Sequence, residues 1–128
     1  MYDKDNVFAK IIRGEIPSKK IVENEYAISF YDVNPMCEKH ALVVPRGEYE
    51  NILDFVRRAS VAEQAGFWDC FVKTAEKLGV DGEFNVFANA GVNAPIFNQS
   101  VFHFHLHLIS GKRTDACIGI MQEMLCQK

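Results

Sequence analysis

No stretch of the 128 residues approaches the roughly 18 consecutive apolar side chains of a membrane-spanning helix, so no membrane crossing is expected. A basic surplus is missing too. Fourteen Lys and Arg stand against 17 Asp and Glu, and the longest basic clusters are the pairs Lys19-Lys20, Arg57-Arg58 and Lys112-Arg113. Neither charge nor clustering suits a nucleic-acid partner, although a single nucleotide is not excluded. The four cysteines, at 37, 70, 117 and 126, include no C-x-x-C pair. That spacing excludes a zinc knuckle and a thioredoxin-like site. The N-terminal run MYDKDNVFAKII carries acidic residues where a signal peptide carries an apolar core, so reduced thiols and a cytoplasmic location are expected. Prolines number only four, and repeats, low-complexity tracts and linkers are absent, which excludes collagenous and disordered chains. One domain is expected over residues 1–128.

What is present alternates between two periods. Val7, Phe8, Ile11 and Ile12 recur at helical spacing between a capping Asn6 and a stop at Gly14. Ile21-Val22, Ala27–Tyr31 and His40–Val44 read as strands, the last two closed by the turn residues 32–35 and 45–47. From Leu53 to Leu78 the period predicts one helix of about 20 residues, with Val61, Ala65, Trp68, Val72 and Ala75 on one stripe. Phe67, Phe71 and Leu78 widen that stripe beyond the needs of one small sheet face, which points to a second subunit. Glu83–Asn89 and Ser100–Ile109 read as an antiparallel strand pair around the loop 91–98, and residues 114–128 form a weakly helical tail. The class is α+β, with an antiparallel sheet of about five strands, one long helix and one or two short ones.

Three of the four histidines fall in VFHFHLHLI, at 103, 105 and 107. Period two puts the three imidazoles on one face, roughly 7 Å apart, and Phe104, Leu106 and Leu108 on the other. A structural role does not ask for such a row. Two chemistries use one. A metal site would take two of the rings and a third ligand such as His40 or a carboxylate, since 103 and 107 stand roughly 13 Å apart. Alternatively, one imidazole is a nucleophile and its neighbours fix its tautomer. The pattern alone leaves both open.

The run His103–Ile109 resembles the His-φ-His-φ-His-φ-φ signature of the histidine triad (HIT) family of nucleotide hydrolases and transferases. The stretches VFAKIIRGEIPSKKIVENEYAISFYDVNP, HALVVPRGEYENILD and QSVFHFHLHLISGKR resemble its HINT branch, the purine nucleoside phosphoramidases, so that residues 6–113 are covered. The resemblance implies a HIT-like fold that dimerises into a ten-stranded sheet. It also implies hydrolysis at the α-phosphorus of purine nucleoside 5'-phosphoramidates or related AMP conjugates. His105 matches the nucleophile, and His107 the flanking residue whose backbone carbonyl would accept the Nδ1–H of the nucleophile. His103 and His40 match residues that order the network behind it. Ser100 and Asn89 match residues that meet the phosphate or leaving group, Asp32 the acceptor of both ribose hydroxyls, and Val7, Phe8, Ile11, Phe30, Val33 and Leu42 the purine pocket. A purine nucleotide and a second copy of the chain are the implied partners, with no cofactor and no metal.

The chain departs from the family in three places. Asn6–Ala9 stand where some members have a zinc-binding Cys-x-x-Cys, so that ion is not expected. The loop after Asn89, with Asn98 where glycine is usual, is longer than the family's. The tail beyond Arg113 lacks the tryptophan of the eukaryotic branch. Within the family, a dinucleoside polyphosphate hydrolase is the alternative. Outside it stand a nucleotide-binding protein with incidental activity and a metal hydrolase.

Overall fold

The computed structural model describes residues 1–80 and 82–126. Side chains beyond residue 123, including the Cys126 thiol, lie outside the described set. Five strands form one sheet: β1 (Lys20–Glu23), β2 (Ala27–Tyr31), β3 (Cys37–Pro45), β4 (Phe84–Phe87) and β5 (Leu106–Arg113). Their spatial order is β1-β2-β3-β5-β4 and every pairing is antiparallel, as the sequence predicts. Among the described residues four helices accompany it: α1 (Val7–Ile12), α2 (Ile52–Arg58), α3 (Val61–Leu78) and α4 (Asp115–Cys126). Among the described residues, no helix is long and apolar enough to cross a membrane.

Alternation along the central strands sorts side chains onto two faces. On β2, Ala27 points to the cluster beneath α3, whereas Ile28 and Phe30 point to the cluster around Phe8 and Ile11 of α1. On β3, Val43 joins the first cluster, and Leu42 and Val44 the second. Both faces are therefore apolar at the centre, and Phe55, Phe67 and Phe104 fill the α3 side with ring centroids 5.0–5.2 Å apart. One polar pair interrupts that side. The hydroxyls of Ser29 and Thr74 bond each other at 2.6 Å, so neither is buried without a partner.

Two expectations are corrected here. The single helix expected over Leu53–Leu78 is two. Ala59 is extended, with ψ 144°, and Ser60 restarts the helix through a capping box in which its hydroxyl and the Glu63 carboxylate each accept a backbone N–H of the other. Gly79, left-handed at φ 70°, ends it as expected. The strand expected from Ser100 begins only at Leu106. Residues 100–105 are tied to the region after β3 instead, by the Phe104 N–H to the Tyr49 carbonyl at 2.7 Å. Alternation still holds through this segment, because extended backbone alternates its side chains with or without a ladder.

The wide apolar arc of α3 divides between sheet and solvent. Phe67, Cys70 and Thr74 meet the sheet, whereas Val61, Ala65, Trp68 and Val72 are exposed, with Val61 at 87% and Trp68 at 45%. Strand β4 lies at the sheet edge with Phe84 and Val86 also exposed. Cys37, Cys70 and Cys117 are buried free thiols.

Candidate active site

The face of the sheet opposite α3 opens into a cavity of about 660 Å³. Its apolar end is built by α1, β2 and β3: Val7, Phe8, Ile11, Phe30 and Leu42 line it, with Val33 at the rim, 90% exposed. Asp32, Asn89, Ser100, His40, His105 and His107 line the same cavity. His103 does not line it. It is buried behind His105.

Partners fix the tautomer of each ring, because a backbone carbonyl only accepts and a backbone N–H only donates. His103 Nε2 lies 2.7 Å from the Pro45 carbonyl and must carry the proton, so its Nδ1 accepts from the Tyr2 hydroxyl at 2.5 Å. His105 Nδ1 lies 2.8 Å from the carbonyl of His103 and donates to it. This corrects the expectation that the carbonyl of His107 plays that part. A ring two residues on in extended chain folds back over its own backbone and reaches the earlier carbonyl. The Nε2 of His105 is therefore an unprotonated lone pair.

His40 and His107 form a second pair. In the β3–β5 register, Leu42 faces His107 and Ile109 faces His40, so the two histidines are diagonal neighbours within ring reach. The Met36 N–H donates to His40 Nδ1 at 3.0 Å, so the proton of His40 sits on Nε2, 2.9 Å from His107 Nδ1 and 3.4 Å from Asp32 Oδ2. His107 keeps its own proton on Nε2. Asp32 Oδ1 accepts the Asn34 N–H at 2.8 Å, and each oxygen of this carboxylate retains a further lone pair.

Asp32, His40 and His107 place one ligand atom each within 4.8 Å of the others, the spacing a metal ion would need. Their hydrogen bond places the proton of His40 between the two ring nitrogens. An ion would have to displace that proton and turn both rings.

Burial lowers the proton affinity of all four imidazoles. His103 is held down to about 4, with the Pro45 carbonyl opposing. His107 is held down to about 3, by burial first and then by the charges His105 and His40 would carry. The His105 ring, lowered by burial against its bond to His103, is neutral at pH 7.

Depressed values of this kind make folding sensitive to acid. In the unfolded chain these rings bind protons near pH 6.5, so stability is full above that value. It falls as pH drops toward 4, because only the unfolded state takes up the protons. The urea midpoint should therefore drop clearly between pH 7 and pH 5, a window above the ordinary carboxylate range. A midpoint unchanged across it would mean that the four rings are not held neutral.

Several contributors escaped the sequence reading. Tyr2 reaches His103 from 101 positions away. Buried Gln99 closes the base of the 91–98 loop: its N–H donates to the Gly91 carbonyl at 3.0 Å and its Oε1 accepts the Gly91 N–H at 3.1 Å. Phe87 stacks on His107 with centroids 4.5 Å apart and planes 6° from parallel, and Phe97 stacks on Phe87 at 5.8 Å. An aromatic residue on a strand facing the histidine row was a readable signal for Phe87. Nothing in the sequence marks the other three.

A sequence profile described as the HIT domain matches residues 13–114. A 13.2 kDa HIT-like protein of Azospirillum brasilense is 42% identical over 113 residues, covering 88% of this chain and 90% of that one. A HIT-like protein of Helicobacter pylori is 41% identical over 111 residues, covering 84% and 98%. Among solved structures, one described as a Hit-like protein superposes with a TM-score of 0.72 at 39% identity, covering 84% of this chain and 99% of its own. A HIT family hydrolase from Clostridium thermocellum gives 0.69 at 32%, covering 88% and 94%.

Proposed function

The chain belongs to the HIT-domain family, and on that premise we propose that it hydrolyses AMP conjugates at the α-phosphorus, purine nucleoside 5'-phosphoramidates first, as in the HINT branch. The observation that carries this reading is the state of His105. A neutral ring, oriented by the His103 carbonyl, presents a bare Nε2 to a cavity with an apolar end and a carboxylate. In the first step the Nε2 lone pair forms a bond to phosphorus and the P–N bond of the substrate breaks. Its electron pair leaves on the amine, which takes up a proton. Water then attacks phosphorus and releases a proton that replaces the one the amine drew from solvent, the electron pair of the P–Nε2 bond returns to the ring, and AMP departs. His107 Nε2–H and the Ser100 hydroxyl are the side-chain donors for the charge that builds on the phosphoryl oxygens.

The purine lies among Val7, Phe8, Ile11, Phe30 and Leu42, edged by Val33, and is held by area and stacking, so adenine and guanine are poorly separated. Asp32 accepts the ribose hydroxyls and Asn89 meets the leaving group. Loss of one charge-assisted hydrogen bond, roughly 1.5–3 kcal/mol, should make 2'-deoxyAMP bind about ten- to a hundredfold more weakly than AMP. Asp32→Ala should erase most of that difference. Undiminished discrimination in the variant would put the ribose contact elsewhere.

The working unit is a homodimer. The exposed row Val61–Ala65–Trp68–Val72 and the open edge of β4 lack cover in the single chain, and pairing of two β4 edges would extend five strands to ten. A dinucleoside polyphosphate hydrolase is the second reading, favoured by the aromatic wall that the long loop adds to the cavity. Steady-state rates on adenosine 5'-phosphoramidate, an AMP–lysine conjugate and diadenosine tri- and tetraphosphate separate the two. Higher kcat/KM on the amides supports the first; turnover of the polyphosphates alone overturns it.

A further inference from the structure

His105 has aromatic neighbours on two sides. On one, Phe8 meets it edge-on at 4.8 Å and leads to Phe30 at 5.4 Å, the purine end of the cavity. On the other, His107 lies 5.0 Å from it, and Phe87 and Phe97 continue the series as two stacked rings. The nucleoside claims the first side. A 660 Å³ cavity is mid-range for a whole small-molecule site and larger than a mononucleotide requires, and Phe87 and Phe97 both line its remaining part.

Phe97 is not carried there by a loose segment. The two hydrogen bonds between Gly91 and Gln99 close the loop at its base, and the Gln99 Nε2 donates to the Glu50 and Val101 carbonyls beneath it. Gly91 makes the turn at φ 87°, which other residues rarely adopt. The loop thus presents one ring against the strand that flanks the histidine row.

We infer that Phe97 and Phe87 form a leaving-group subsite for a flat aromatic ring carried on a short arm by the departing amine. The inference rests on the reading of the protein as a phosphoramidate hydrolase and names the class of amine it releases. Phe87 is already engaged by His107 and Phe97, so the ring offered to a ligand is Phe97, whose free face favours a planar partner over an equally large puckered one. Reach sets the short arm. The stack begins one ring from the nucleophile, nearer than a base at the end of a polyphosphate and a second ribose would lie.

The test compares kcat/KM for the benzylamine and cyclohexylmethylamine amides of AMP, equal in reach and similar in apolar bulk. Wild-type protein should prefer the benzyl amide by about two- to tenfold, the worth of one aromatic contact. Phe97→Leu, which keeps bulk and loses the flat face, should bring the ratio to parity, and Phe97→Trp should restore it. A wild-type ratio of one, or a Leu variant that keeps the wild-type ratio, overturns the subsite while the hydrolase reading stands. Failure of the wild type to cleave either amide or adenosine 5'-phosphoramidate removes the hydrolase reading, and the subsite with it. A parallel comparison of diadenosine triphosphate with ATP identifies the source of the ring. If Phe97→Leu lowers that ratio and spares the benzyl preference, the ring is a second nucleobase and the short-arm assignment falls.

Discussion

His105→Ala should abolish turnover while leaving AMP bound. Loss of a covalent nucleophile costs about 10³–10⁶-fold in kcat, since among the described residues no other group in the cavity presents an unprotonated ring nitrogen oriented by a backbone carbonyl. The nucleotide loses only one aromatic neighbour of Phe8, so affinity should weaken by no more than about tenfold. Steady-state rates beside a calorimetric titration with AMP check both halves. A variant that turns over within tenfold of wild type would end the assignment of His105. A variant that neither turns over nor binds would show that the ring belongs to the nucleotide pocket more than to the chemistry.

Trp68→Asp should convert a dimer of 14.5 kDa chains into monomers. Trp68 is 45% exposed in the isolated chain and lies between the exposed Val61, Ala65 and Val72 on one face of α3. A charge there must be desolvated against its own copy across a two-fold axis, and a second like charge faces it. Phe71 would be the wrong position to change. It is half-buried against two core clusters, one holding Val43 and the other Ala41, so a charge would unfold the chain before it separated two copies. Light scattering at micromolar concentration should give twice the chain mass for the wild type and the chain mass for Trp68→Asp. A wild type that scatters as one chain with full turnover would reassign the exposed row to a different partner.

Much of this was legible in the sequence wherever pattern and neighbourhood agree. The strand Ala27–Tyr31 and the helix after Asn6 stand as their periodicity predicts, because each buries one face against nearby chain. The break before Ser60 was readable in principle: Ser-Val-Ala-Glu is a capping box, and apolar periodicity running through it obscured the stop. The start of β5 was not readable. Alternation from Ser100 is real, but only tertiary contacts decide where ladder bonds begin. The histidine row pointed to the site, whereas the carbonyl that orients His105 is a matter of backbone path, Tyr2 and Gln99 act across long sequence separations, and Phe97 is placed by its loop. Which face of α3 meets the sheet was not readable for a related reason. The helix carries two apolar rows, and periodicity cannot say which of them meets its own sheet.

The central claim is that His105 Nε2 carries the nucleotidyl group between two displacements, and the stereochemical course at phosphorus tests it most directly. Each in-line attack inverts the phosphorus centre. Hydrolysis of a phosphoramidate made chiral at phosphorus with sulfur, in isotopically labelled water, should therefore proceed with overall retention, because histidine and then water each invert it once. Overall inversion would mean one direct attack by water, as a metal- or base-activated hydrolase would make, and would contradict the account.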